Sequence, residues 1–248
     1  MRKLLTGLTV LAALAFAGTS YAANGTVDMS WDNCAPIVID KSTTTPGIYS
    51  WYVSELGNDT SHQGHQVRVI YGNQTQTVPD AWRFDATGCE TSAFVTLDHT
   101  APAAVSKTCP SFSQAAATVP IKDVSFSDPV NDPYAATTMR VVIASGYGAP
   151  VTANPAVRYF LGSATFNLTS AVVGAGDGVT TCGGLEQSIC FKLTLATYYD
   201  ATLLQEISFD RAVAPGAPLF LTWNGPTACP AVPVRPSTWG AIKGQYRN

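Results

Sequence analysis

The chain has 248 residues, of which 46% are hydrophobic and 12% charged, with 14 Lys+Arg against 17 Asp+Glu and a formal net charge of −3. The charged fraction is about half the ~25% usual in globular proteins, and the balance lacks the basic excess that nucleic acid or an anionic lipid surface attracts. Plentiful β-branched and aromatic residues exclude a disordered chain, so a folded protein with an uncharged polar surface is expected.

The first element in chain order is a leader. Arg2 and Lys3 precede an apolar run from Leu4 to Ala17, and Thr19-Ser20-Tyr21-Ala22 places small residues ahead of a cut near Ala22. This is the pattern of a cleaved secretory signal over residues 1–22, too short and wrongly flanked for a membrane span. No cysteine lies near the cut to carry a lipid anchor. The mature chain then has no transmembrane segment, and a secreted, extracellular or cell-surface location follows.

Beyond the leader the apolar residues recur with period two. Val67, Val69 and Tyr71 mark one strand, and Phe94, Val95 and Leu97 another before Asp98. Met139 to Ile143 forms a third, ending at Ser145-Gly146. Phe160, Gly162, Ala164, Phe166 and Leu168 alternate with polar partners, as do Ile189, Phe191, Leu193 and Leu195. Leu219, Leu221 and Trp223 complete the set. Short alternating strands between Gly, Pro, Asn and Asp turns describe antiparallel sheets with one buried face. An all-β fold of two antiparallel β-sandwich-like units is expected, 23–112 and 118–228, divided by the weakly patterned stretch 113–117.

Six cysteines, Cys34, Cys89, Cys109, Cys182, Cys190 and Cys229, all follow the leader. An even set in an exported chain reads as three disulfides, with 15 possible connectivities. Short intervening segments favour Cys182 with Cys190 and Cys89 with Cys109, which leaves Cys34 for Cys229. Three cysteines lie in each half, so at least one bridge crosses the boundary if all are paired. No CxxC pair or Cys/His spacing suggests zinc.

The last segment, 229–248, changes character. Pro230, Pro233 and Pro236 form an extended spacer. Ser237 then caps a short amphipathic helix with Trp239, Ile242 and Tyr246 on one face and Lys243 and Arg247 near its end. Such a tail suits either docking onto a sheet or a sorting signal.

Trp31-Asp32-Asn33-Cys34, Cys182-Gly183-Gly184 leading to Cys190, Pro79-Asp80-Ala81-Trp82-Arg83-Phe84 leading to Cys89, and Thr238 to Arg247 occur in this order. Together they resemble a group of uncharacterised exported bacterial proteins with an early WDxC motif and a C-terminal TWGxxKxxYR-like motif. This chain departs from that group in having no second cysteine soon after Cys34, and the resemblance implies no reaction and no catalytic residue.

Candidate sites divide by chemistry. His62 and His65, with Asp59 nearby, offer a metal-binding turn or simply a polar strand entry. Asp128, Asn131 and Asp132 bunch oxygen ligands in a Pro-interrupted loop that suits calcium, or an ordinary turn. There is no HExxH, no GxSxG elbow and no SxxK set, so no catalytic residue and no metal ligand is assigned; His99 reads as a strand-end residue. Glu55, Glu90, Glu186 and Glu206 are carboxylates that a glycoside hydrolase would need in pairs. Trp51, Tyr52 and Trp82, with Phe84, Tyr198 and Tyr199, would present flat rings to a sugar if exposed, or pack a core if not. Four Asn-x-Thr sequons, at Asn24, Asn58, Asn73 and Asn167, match chance in a Thr-rich chain.

The leading expectation is an exported, non-catalytic structural, adhesive or cell-envelope protein acting through surface contacts, with itself or a cell-surface polymer as partner. The alternatives are an extracellular carbohydrate- or calcium-binding module and an extracellular hydrolase with no recognisable motif. No cofactor is expected, calcium being the one ion for which the sequence offers a place.

Overall fold

A computed structural model describes residues 26–56, 61–73, 78–85, 88–111, 121–126, 138–199, 206–208 and 220–225. The strands are β1 (Thr26–Trp31), β2 (Asp40–Lys41), β3 (Ile48–Leu56), β4 (Ser61–Gly72), β5 (Val95–Asp98), β6 (Ile121–Phe126) and β7 (Met139–Thr152). They continue with β8 (Tyr159–Asn167), β9 (Ala171–Val172), β10 (Cys182–Gly183), β11 (Ile189–Tyr199), β12 (Glu206–Ser208) and β13 (Phe220–Trp223). Two short 3-10 turns, Asp80–Trp82 and Ser92–Phe94, are the helical elements among the described residues. None of the described helices is long and apolar enough to cross a membrane.

Two sheets face each other. The first has strand order β1-β3-β8-β5, all antiparallel. The second has order β2-β13-β11-β4-β7-β6, antiparallel except where β13 meets β2, with β12 also paired to β11. A parallel pair, β9 with β10, stands apart. The result is an all-β antiparallel sandwich braced by disulfides, as the period-two pattern implies. Strands from either side of 113–117 alternate within both layers: β8 lies between β3 and β5, and β4 between β11 and β7. The division expected there therefore does not sort the strands into successive sheets.

Inward-facing residues of the two sheets share one core. Val67, Val69 and Tyr71 of β4, Met139, Val141 and Ile143 of β7, and Trp51 and Val53 of β3 are all essentially inaccessible. Trp31, Trp82 and Trp223 join them, so every described tryptophan is buried. Trp82 packs against Trp223 at 5.0 Å and Phe166 at 5.4 Å, and Tyr71 stacks on Phe191 at 4.9 Å. The polar tips find partners: Trp31 Nε1 donates to the Thr222 carbonyl at 3.0 Å, and Trp223 Nε1 to that of Leu185 at 2.8 Å. Rings of this size bury 150–250 Å² each and dominate core energetics.

A second, smaller cluster lies on the outer face of the first sheet. Tyr52 and Phe160 point outward and are covered by Val105, Cys34 and Cys109. The covering segment is tied down by a bond from Phe160 N to the Pro110 carbonyl at 2.9 Å and by a Cys34–Cys109 disulfide with Cα atoms 5.9 Å apart. Phe160 was expected to share a face with Ala164 and Phe166. Instead the register slips between Val53 and Ser54, which pair with Gly162 and Phe160, and this bulge at Leu161 turns Phe160 outward.

The disulfides differ from the expected pairs. Cys34 joins Cys109, Cys89 joins Cys182, and Cys190 is also disulfide-bonded. Cys229 lies outside the described residues. Cys182 belongs to the central core, whereas Cys190 precedes the inward-facing Phe191 and is not part of that cluster. The two cysteines, close in sequence, lie on different strands, β10 and β11, and only Cys182 belongs to the central core. The Cys89–Cys182 bridge, with Cα atoms 5.6 Å apart, spans the 113–117 boundary.

Candidate functional site

The aromatic residues that the sequence offers for sugar stacking are not available to a ligand. Trp51, Trp82 and Phe84 are wholly inaccessible and Tyr52 is 8% exposed beneath the 101–111 segment. This corrects the expectation that Trp51, Tyr52 or Trp82 presents a binding face. On β3 the opposing sheet covers Trp51 and the disulfide-tied strap covers Tyr52, while Trp82, in the Asp80–Trp82 turn, packs among Trp223, Phe166, Phe191 and Tyr71. The calcium candidates Asp128, Asn131 and Asp132, and the tail residues Trp239, Ile242, Lys243, Tyr246 and Arg247, lie outside the described residues, as do the leader and Asp59. Among the described residues no group of three or more His, Cys, Asp or Glu side chains is placed to hold a metal.

The candidate carboxylates are dispersed. Glu90 is buried and accepts a hydrogen bond from the Ser170 hydroxyl, while Glu186 accepts from Gly174 N at 2.9 Å. Both lie by β9 and β10. Glu55 lies at the far end of β3, where that strand pairs with the first residue of β8. His99 follows β5 and is half-buried.

Glu55 marks a place where the core changes character. Along the inward faces, Val67 gives way to His65 on β4, Ile143 to Ser145 and Tyr147 on β7, and Ala196 to Tyr198 on β11. Glu55 follows Val53 on β3 in the same way. All five of these polar residues are buried. The His65 ring centroid lies 5.8 Å from that of Tyr147 and 6.4 Å from that of Tyr198. His65 Nε2 is 2.7 Å from the Leu161 carbonyl, which only accepts, so this nitrogen carries hydrogen. Nδ1 is 2.5 Å from the Tyr147 hydroxyl, which donates to it when the ring is neutral.

Burial pushes the Glu55 carboxyl up to about 8, with the Tyr198 hydroxyl and the Arg158 guanidinium pulling back only in part. Neither carboxylate oxygen has a hydrogen bond of good geometry. Arg158 is committed elsewhere, donating to Asp28 at 2.6 Å and Ser54 at 3.0 Å. Burial, helped by the nearby Glu55, also holds the Tyr147 phenol far above its ordinary range, so it remains a donor. In sequence, Glu55 is one carboxylate among several and His65 belongs to a polar turn before a strand. The polar substitutions at successive inward positions of β4, β7 and β11 were the available signal.

At the opposite end the 173–181 loop is the most organised exposed feature. Asp177 Oδ1 accepts from the backbone N–H groups of Val179, Thr180 and Thr181 at 2.9, 2.7 and 2.8 Å. The Thr180 hydroxyl and these N–H groups hold the Asp177 carboxyl well below the usual carboxylate range. The return strand β10 carries Cys182, bonded to Cys89. Gly176 and Gly183 pass so close that a Cβ on either would collide with neighbouring backbone. On this braced loop Val173 is 56% and Val179 84% exposed.

No family model matches the chain, and no curated protein matches it. Among solved structures it is similar to the second type II cohesin module of the cellulosomal adaptor ScaA scaffoldin of Acetivibrio cellulolyticus. That match has 13% identity over 74% of this chain and 89% of that one, with a TM-score of 0.34. It is also similar to the sixth cohesin of scaffoldin B from the same organism, solved in complex with a dockerin. Here identity is 11% over 73% of this chain and 91% of that one, with a TM-score of 0.31.

Proposed function

We propose that this chain is an exported, non-catalytic structural or adhesive protein of the cell surface that acts through surface contacts. The observation that carries this reading is where the structure spends its chemistry. Trp51, Trp82 and His65, the residues a ligand-binding or catalytic reading would use, are consumed by the core, while large apolar side chains stand out on a rigid, disulfide-anchored loop. Loops clamped before contact lose little entropy on binding, and exposed apolar groups on a fixed scaffold are what contact surfaces use. The disulfides and the low charge agree with an oxidising, extracellular setting, as does the leader pattern.

The test is light scattering on residues 23–248 under oxidising conditions, together with binding to cells and to cell-surface polymers. Association or binding that weakens in Val179→Asp supports the reading. A strict monomer that binds neither cells nor polymers overturns it.

A further inference from the structure

Glu55 is the one member of the buried polar cluster contributed by the β1-β3-β8-β5 sheet. His65, Tyr147 and Tyr198 come from β4, β7 and β11 of the other. The charge state of Glu55 therefore bears directly on the contact between sheets. We propose that the Glu55–His65–Tyr147–Tyr198 cluster is a proton-operated clasp, closing this end of the sandwich while Glu55 is neutral and loosening it when Glu55 ionises.

The cation that acts on Glu55, Arg158, is already held by Asp28 and Ser54, and the described groups around the carboxyl are otherwise hydroxyls and an imidazole with partners of its own. From β4, His65 has one ring nitrogen on the Leu161 carbonyl and the other on Tyr147. From β7, Tyr147 is occupied by that contact, and Ser145 Oγ has no partner of its own. From β11, the Tyr198 hydroxyl meets Glu55. On β8, Tyr159 pairs with Glu55 through the backbone and its hydroxyl accepts from Asn154 N at 3.2 Å. On β1, Asp28 takes the Arg158 guanidinium at 2.6 Å. A carboxylate in this setting is desolvated and has a phenol for a donor, and a buried charge without full compensation is costly. The low-cost relief is entry of water, which requires the end of β3 to separate from β4, β7 and β11.

The clasp is tested by native-state hydrogen exchange on the oxidised chain at about pH 5 and about pH 9, corrected for intrinsic exchange. Amides at 53–56, 64–66, 145–148 and 197–199 should lose roughly tenfold more protection at the higher pH than those at 69–71 and 164–166 at the other end. Glu55→Gln should abolish that difference. Equal loss at both ends, or a Glu55→Gln protein that keeps the wild-type difference, overturns the proposal. Should Glu55→Gln not fold, a carboxyl-carbon NMR titration of the wild type decides instead. A Glu55 midpoint in the ordinary range near 4.5 overturns the clasp. A midpoint well above it, accompanied by the same local loss of protection, supports it.

Discussion

The Tyr147 hydroxyl stands 2.5 Å from His65 Nδ1, on a ring whose Nε2 already donates to the Leu161 carbonyl. Through this one imidazole, β4 and β7 of the second sheet are joined to β8 of the first. Replacing Tyr147 by Phe keeps the packing and removes the donor. A buried nitrogen left unsatisfied costs about 1–3 kcal/mol. Chemical denaturation of Tyr147→Phe should show a loss in that range with an unchanged slope, and an unaltered midpoint would mean that the bond contributes nothing.

Stability should fall as pH rises through neutrality. Glu55 binds its proton more tightly folded, with a pKa near 8, than unfolded, where it is near 4.5. The folded state thus holds more protons between those values, and linkage makes stability full below about 4.5 and progressively lost up to about 8. The total is about 5 kcal/mol at most, from 1.36 kcal/mol per unit. Urea midpoints measured across this window should decline, and Glu55→Gln should flatten the slope.

Trp82 touches Trp223, Phe166, Phe191 and Tyr71 with centroids between 5.0 and 6.4 Å. Truncation to Ala should cost about 3–5 kcal/mol through lost transfer energy and the cavity left behind. Trp82→Phe should cost less. Thermal unfolding of both variants checks the order, and equal destabilisation would mean that the cavity is not the cause.

Non-reducing peptide mapping should recover Cys34 linked to Cys109 and Cys89 linked to Cys182. The latter closes a sequence separation of 93 residues. Replacing both Cys89 and Cys182 by Ser should cost roughly 4–5 kcal/mol in the chain-entropy account. Recovery of a Cys89–Cys109 peptide would contradict the structure.

Asp177 accepts three backbone N–H groups at the loop tip. Asp177→Ala should therefore speed amide exchange at 179–181 and expose the loop to proteolysis, while the core transition shifts little because the side chain lies at the surface. Exchange at 179–181 that stays at the wild-type rate would mean that the carboxylate does not hold the turn.

The fold class was legible because apolar residues recur at every second position of several strands, most cleanly in β7, where buried and half-buried positions alternate. β4, β7, β8 and β11 show alternation in sequence, although β7 runs on to Thr152, past the Ser145-Gly146 stop that its composition suggested. β3 was missed for a physical reason. Ser50 is half-buried and Trp51, Tyr52, Val53 and Ser54 are all buried, because the 101–111 strap covers the outer face of that strand. With both faces covered, period two disappears from the sequence. The cysteine pairing failed because nearness along the chain says nothing about which strand, and which part of the core, a cysteine joins. The polar end of the core was hidden because His65 and Glu55 read as surface residues until two other strands, β7 and β11, are seen to bring polar positions to the same depth.

The Cys34–Cys109 and Cys89–Cys182 disulfides overlap along the chain, one closing 34–109 and the other 89–182. Suppose the protein is pulled from its two ends, as a tether is. The covalent route from Cys34 leaps to Cys109, runs back over the 20 residues to Cys89, and leaps again to Cys182. Roughly 70 Å of chain can be drawn out between Cys34 and Cys182, where the intact sequence would yield nearly 500 Å at about 3.4 Å per residue. Until a bridge is reduced, the 34–182 span behaves under load as a short link, and a reducing environment converts it into a long compliant one.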